Sequence, residues 1–140
     1  MPVVLHLSMA VFFEIQISVA ISLLKNKRPI RSYSTRSGRL TDSQRKAIDK
    51  YWKDNVIPYR GELLDLGSIF SNQRPITLEI GFGMGASLTE MAQKDIGSNF
   101  LGIEVHKPGI GKTLNEIHLL NVKNLKLMCH DAIEVVTHSL

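Results

Sequence analysis

At 140 residues the chain is sized for one small domain, and 44% hydrophobic with 21% charged residues is ordinary for a globular protein. The one cysteine, Cys129, excludes an internal disulfide and a cysteine-based zinc cluster, and points to a reducing compartment, the cytoplasm. The net charge of +4 hides an asymmetry: Lys25 to Arg60 holds eleven Lys/Arg against three Asp, a local excess of +8 ahead of a mildly acidic remainder.

The first segment, MPVVLHLSMAVFFEIQISVAISLLKNKRPI, is mostly apolar from Pro2 to Leu24. Glu14 at its midpoint would cost roughly 2.5–3.5 kcal/mol in a bilayer. No basic residue precedes the run and no small-residue cleavage pattern follows it, which disfavours a secretory signal. Lys25, Lys27, Arg28 and Arg31 come after it, so an anchor with its N-terminus outside is the competing reading. The preferred reading is no membrane segment. Residues 1–24 are taken as an appended stretch, or the product of a mis-set start codon, and left out of the fold.

Residues 25–60 form the basic part. RPIRSYSTRSGRLT, Arg28 to Thr41, has no hydrophobic periodicity and is predicted to be an extended, mobile arm. Thr41 followed three residues later by Gln44 matches a helix capping box. Ala47, Ile48, Tyr51 and Trp52 then share one face of a helix of about three turns. The other face carries Arg45, Lys46, Asp49, Lys50 and Lys53. A basic face beside a basic arm points to a polyanion, with a solvated linker as the plain alternative.

Pro58 and Gly61 break that helix, and the stretch to Phe70 carries no clear pattern. From the Asn72–Pro75 turn onward, strands and helices alternate. Strands are predicted at 76–80, 99–105 and 124–129, with helices over 86–94 and 110–120 and a third beginning at 132. This order implies βαβ units and a parallel sheet.

The turn after the first of these strands reads TLEIGFGMGASL, Thr77 to Leu88. A strand, a glycine-rich turn and a helix make a nucleotide site, because bare backbone lets a ligand approach and the helix start offers N–H groups. A dinucleotide fingerprint is G-x-G-x-x-G. Here Gly81, Gly83 and Gly85 are one residue short of it, and Glu79 stands two residues before the first glycine. A carboxylate there repels pyrophosphate and suits a cationic ligand. S-adenosylmethionine, with a sulfonium and an ammonium and no phosphate, fits best.

Two more acidic residues extend the pattern. Glu104 ends the second strand, where an acidic side chain accepts from ribose hydroxyls; otherwise it is a solvated strand end. Asp131 ends the third, placed for the adenine amino group with the Ala132 N–H beside it; otherwise it is a helix N-cap. Cys129 is read as core rather than nucleophile. His106 and Lys107 follow Glu104 in a loop that a substrate could approach. His130 is a candidate acid/base, disfavoured because sulfonium methyl transfer to a lone pair needs none. No metal site is expected.

RSYSTRSGRLT, LEIGFGMGASL, FLGIEVHKPGIG and NLKLMCHDAIEV together resemble the bacterial tRNA (guanine-N7-)-methyltransferase family, from about Arg28 to the end. The resemblance implies a Rossmann-like class I S-adenosylmethionine-dependent methyltransferase that methylates N7 of a variable-loop guanine, position 46, in tRNA. It implies cofactor-binding roles for Glu79, Gly81, Gly83, Glu104, Asp131 and Ala132, and RNA contacts for Arg31, Arg36 and Arg39.

Two departures accompany it. Residues 1–24 do not resemble the family's start, and the family continues past this end with further strands and an acidic-Pro-Trp loop that holds the catalytic residues. Residues 72–140 are therefore expected to be the N-terminal half of the methyltransferase domain, with about three of seven strands and the central strand unpaired on one side. The alternative is a non-catalytic S-adenosylmethionine- or RNA-binding remnant. An NAD-dependent oxidoreductase fragment is disfavoured by Glu79 and the glycine spacing.

Overall fold

The structure is a computed structural model that describes residues 3–7 as backbone and residues 38–140 in full. Of the arm, Gly38 to Thr41 are described and Arg39 is exposed, while Arg31 and Arg36 lie outside the described residues. The elements are β1 (Val3–Leu7), α1 (Asp42–Asn55), α2 (Leu66–Phe70), β2 (Ile76–Ile80), α3 (Ala86–Lys94), β3 (Asn99–Ile103), α4 (Lys107–Leu119), β4 (Leu125–Met128) and α5 (Ala132–His138).

The predicted alternation from residue 76 is present, and β2, β3 and β4 lie side by side, all parallel. Strand alternation divides their side chains between two cores. On one face Phe100, Leu125 and Leu127 meet Ala47 of α1, Leu88 and Ala92 of α3, and Ile110, Leu114 and Ile117 of α4. On the other, Ile76, Leu78, Leu101, Ile103 and Met128 meet Phe70 of α2 and Val135 of α5. The predicted apolar face of α1 is turned to the first of these cores, with Ala47 buried and Ile48, Tyr51 and Trp52 packed half-buried against it.

The capping box at Thr41 is complete: the Gln44 N–H donates to its hydroxyl at 3.2 Å, and the Thr41 N–H donates to Gln44 Oε1 at 2.9 Å. The five charged residues predicted on the far face of α1 are all exposed. Thr41→Ala should cost about 1 kcal/mol, measured as a parallel shift of the urea unfolding curve. An unchanged midpoint would remove the cap from the stabilising interactions.

Four sequence expectations need correction. First, the N-terminal stretch contributes to the sheet: Val3–Leu7 pairs in parallel with β2, Leu5 opposite Leu78, so the sheet has four strands and β2 is paired on both sides. Residues 1–24 were expected to stand outside the fold as an appended stretch; a five-residue strand is hard to read within an apolar run that continues to Leu24. Second, β3 stops at Ile103 rather than 105, because Glu104 turns back to accept from the Val105 and His106 N–H groups. Third, α4 begins at Lys107 rather than 110; Pro108 suits a first turn, where no N–H is required. Fourth, the featureless stretch before Phe70 contains α2, capped by Asp65, which accepts from the Ser68 N–H at 3.1 Å. In the described residues no helix is long and apolar enough to cross a membrane.

Candidate cofactor site

Because β2, β3 and β4 are adjacent and parallel, their C-terminal ends open onto one edge. Glu79 occupies the next-to-last position of β2, Glu104 follows β3, and Asp131 follows β4 by three residues. The topology therefore brings the three sequence-predicted carboxylates to one crevice.

The glycine loop is built for backbone exposure. Gly81 and Gly83 have φ of +70° and +60°, and a Cβ at either would meet nothing within 4 Å. Their outer faces are open space in which a ligand could touch main chain. Phe82, between them, turns inward and is buried. It can do so because Gly102, in register with Glu79, lacks a side chain; a Cβ there would stand 2.7 Å from the Phe82 ring. Glu79 itself is buried, 1% exposed, at the base of this loop.

Glu104 binds the two sides of the crevice together. Its Oε2 accepts from the Gly83 N–H at 2.9 Å, across to the glycine loop. Its Oε1 accepts from the Val105 and His106 N–H groups at 2.8 and 3.0 Å. An ionised carboxylate has about four acceptor sites, so one remains on Oε2. This is a tighter arrangement than the solvated strand end that was the alternative in the sequence.

Asp131 adopts the N-cap role that competed with its cofactor role: its Oδ1 accepts from the Ile133 N–H at 2.8 Å. It stays half-buried beside half-buried Ala132, so the cap leaves a carboxylate at the crevice rim. His130 is engaged elsewhere, 2.5 Å from Glu134 Oε2 and stacked on Tyr59 with centroids 3.8 Å apart. The Tyr59 hydroxyl also meets His138 Nδ1 at 3.1 Å, fastening both ends of α5. Held on these partners, His130 has a structural place that the acid/base reading did not foresee.

Cys129 is half-buried, and burial pushes its thiol pKa up; Lys107 pulls the other way and Glu104 adds to the rise. A raised thiol pKa lowers the thiolate fraction. Iodoacetamide at pH 8 should therefore alkylate Cys129 at least about tenfold more slowly than a free-cysteine peptide, and at the peptide's rate in denaturant. Equal rates in the folded protein would return Cys129 to the list of reactive groups.

Three residues were passed over in the sequence. Gly109 allows α4 to seat on the glycine loop: a Cβ there would lie 1.9 Å from the Gly83 carbonyl oxygen. Thr113 sits against Gly85 and donates to the Gly109 carbonyl at 2.9 Å. The third is Tyr59. The Pro-Gly pair after Lys107 was the available signal for Gly109; neither Thr113 nor Tyr59 has a local one. His106, predicted as a loop residue, precedes α4 as its N-cap, and a Cβ on Gly38 would come 3.3 Å from its Nε2. The end of the basic arm thus lies against the crevice.

A parallel sheet whose successive strands end in acidic residues, beside a glycine loop opening a helix, defines a Rossmann-like methyltransferase fold. Residues 73–140 match the family model described as "Putative methyltransferase". The chain is 53% identical over 115 residues to the tRNA (guanine-N(7)-)-methyltransferase of Cronobacter sakazakii, covering 80% of this chain and 48% of that protein. The proteins of the same name from Vibrio parahaemolyticus and Edwardsiella ictaluri are 50% and 51% identical over 111 and 109 residues, covering 79% and 78% of this chain and 46% of each relative. Over these residues the chain is similar to tRNA (guanine-N7-)-methyltransferases. It spans about half the length of the curated relatives it matches.

Proposed function

We propose that this chain forms the S-adenosylmethionine-binding part of a methyltransferase that acts on N7 of a guanine in the tRNA variable loop. The observation that supports it most is the Glu104 bridge to Gly83, which fixes a hydrogen-bond acceptor and a bare backbone cradle on opposite sides of one crevice. In this reading Gly81 and Gly83 face the amino-acid end of the cofactor, with Glu79 beneath it. Glu104 holds the ribose, and Asp131 with the Ala132 N–H holds the adenine. The carboxylates suit a cationic ligand, and the open faces of the two glycines suit backbone contact.

The cofactor supplies a methyl group already activated on a sulfonium. Guanine N7 carries an in-plane lone pair, so no proton need be removed first. Positioning and exclusion of water are then the protein's main tasks. Arg31, Arg36 and Arg39 are assigned to RNA phosphates, which place a substrate without reading its sequence. With a free thiol and no disulfide, the chain suits the cytoplasm.

Calorimetry with S-adenosylhomocysteine and with NAD tests the binding half: binding of the first and not the second is expected, and the reverse would restore the oxidoreductase reading. Transfer of labelled methyl from S-adenosylmethionine to tRNA tests the catalytic half. Binding without transfer favours the non-catalytic remnant, in which the chain keeps affinity for cofactor or RNA but no turnover.

A further inference from the structure

Val56, Ile57, Pro58 and Tyr59 run along the β4 edge. Val56 bridges Leu127, and the Ile57 N–H donates to the Leu127 carbonyl at 2.8 Å. Alternation then turns Ile57 and Tyr59 toward the second core, where both pack, and leaves Pro58 exposed.

α5 is seven residues long, too short to be stable apart from its tertiary contacts. Val135 is its one fully buried residue, with Ala132 and Val136 packed half-buried on the same core. Apolar contact is non-directional, so by itself it leaves the helix free to turn. Tyr59 adds two directional contacts. Its ring lies on the His130 imidazole, with centroids 3.8 Å and planes 13° apart, and its hydroxyl meets His138 Nδ1 at 3.1 Å. His130 stands immediately before Asp131, and His138 is the last residue of α5. The Leu64 N–H, donating to the Ser139 carbonyl at 3.0 Å, continues the same attachment.

We propose that Tyr59 is a positioning residue for the adenine side of the crevice. The role rests on the cofactor reading, in which Asp131 accepts from the adenine amino group. Tyr59 acts through His130 rather than on the ligand: the stack fixes the backbone that enters α5 and so sets where the Asp131 carboxylate stands. The ring is the part the role requires, and the hydroxyl adds a second hold at the far end of the helix. A segment outside the glycine and carboxylate motifs thereby belongs to the site.

Calorimetry with S-adenosylhomocysteine, in a double-mutant cycle between Tyr59→Leu and Asp131→Asn, tests this. Asp131→Asn keeps the N-cap through its amide oxygen and turns an NH2, a donor, toward the adenine amino group. Tyr59→Leu keeps an apolar side chain in the second core and removes the stack. That change should lower affinity at least about tenfold in the otherwise unaltered chain, by misplacing one charge-assisted hydrogen bond. In the Asp131→Asn chain it should cost less than about twofold, because that bond is already gone. Equal losses in both backgrounds would make Tyr59 an ordinary stabilising contact and overturn the proposal. Tyr59→Phe keeps the ring and should retain most of the affinity; a loss as large as that of Tyr59→Leu would overturn the proposal too.

The His130 ring-proton resonances read the stack without any ligand, since a facing aromatic ring shifts them upfield. They should lie upfield in the unaltered and Tyr59→Phe chains and return to peptide positions in Tyr59→Leu. Peptide positions in the unaltered chain would overturn the proposal. Should Tyr59→Leu fail to fold, His130→Ala opens the same stack from the other side and takes its place in the cycle. No binding by the unaltered chain, with the His130 resonances upfield, would instead overturn the cofactor reading and the positioning role with it.

Discussion

Glu104→Ala is expected to lower affinity for S-adenosylhomocysteine on the order of 100-fold, from the loss of charge-assisted hydrogen bonds to the cofactor at about 1.5–3 kcal/mol each. The same change leaves the N–H groups of Gly83, Val105 and His106 without their acceptor, so the loops on both sides of the crevice should loosen. Glu104→Gln discriminates the two contributions. Its amide oxygen can still accept from Val105 and His106, but its NH2 cannot accept from Gly83. The glutamine variant should therefore keep most of the thermal stability and lose most of the affinity. Calorimetry alongside thermal unfolding reads both. Full affinity in either variant would remove Glu104 from the site.

Gly109→Ala is expected to be the most damaging single methyl group in the domain. The added Cβ would stand 1.9 Å from the Gly83 carbonyl oxygen, and its neighbour there is backbone, which cannot rotate away. α4 must lift off the glycine loop, at roughly 1–3 kcal/mol for an overpacked contact. The displacement also moves Gly83 away from Glu104, so cofactor affinity should fall with stability. Gly97→Ala is the control: its nearest contact is the carboxylate of Asp95 at 3.3 Å, at an exposed turn. That change should stay within about 0.5 kcal/mol. Equal unfolding midpoints for the two variants would show that α4 has room to move.

The site's cohesion rests on one carboxylate at the start of the β3–α4 connection, Glu104, and one bare α-carbon in the first turn of α4, Gly109. That connection faces the glycine loop on one side and the end of the basic arm on the other, through His106 and Gly38. In the proposed reading the arm and the cofactor crevice share a wall here, so substitutions near Arg39 are expected to affect both.

Local chemistry made much of this legible from residues alone. Thr41 and Gln44 are three apart, so their reciprocal bonds follow from spacing. The apolar stripes of α1, α3 and α4, and the strand cores at 76–80 and 99–103, follow from period and composition. Glu79, with three alternating glycines after it, indicated a cationic nucleotide-like ligand, because each feature acts within a few residues of the next.

What the tertiary structure decided depends on partners far apart in the chain. The Glu104 bridge to Gly83 spans two βα turns, and the fit of Gly109 against the same loop requires α4 to be docked. Tyr59 meets His130 and His138 only because the segment after α1 rounds the β4 edge. Val3–Leu7 shows no strand signal within its long apolar run, and its place beside β2 is set by an edge that exists only once the sheet is assembled. Spacing along the chain made the strands and helices from residue 76 onward and the proposed ligand class legible; closure in space, where a backbone contact or a strand edge has no sequence signature, decided how the elements hold together.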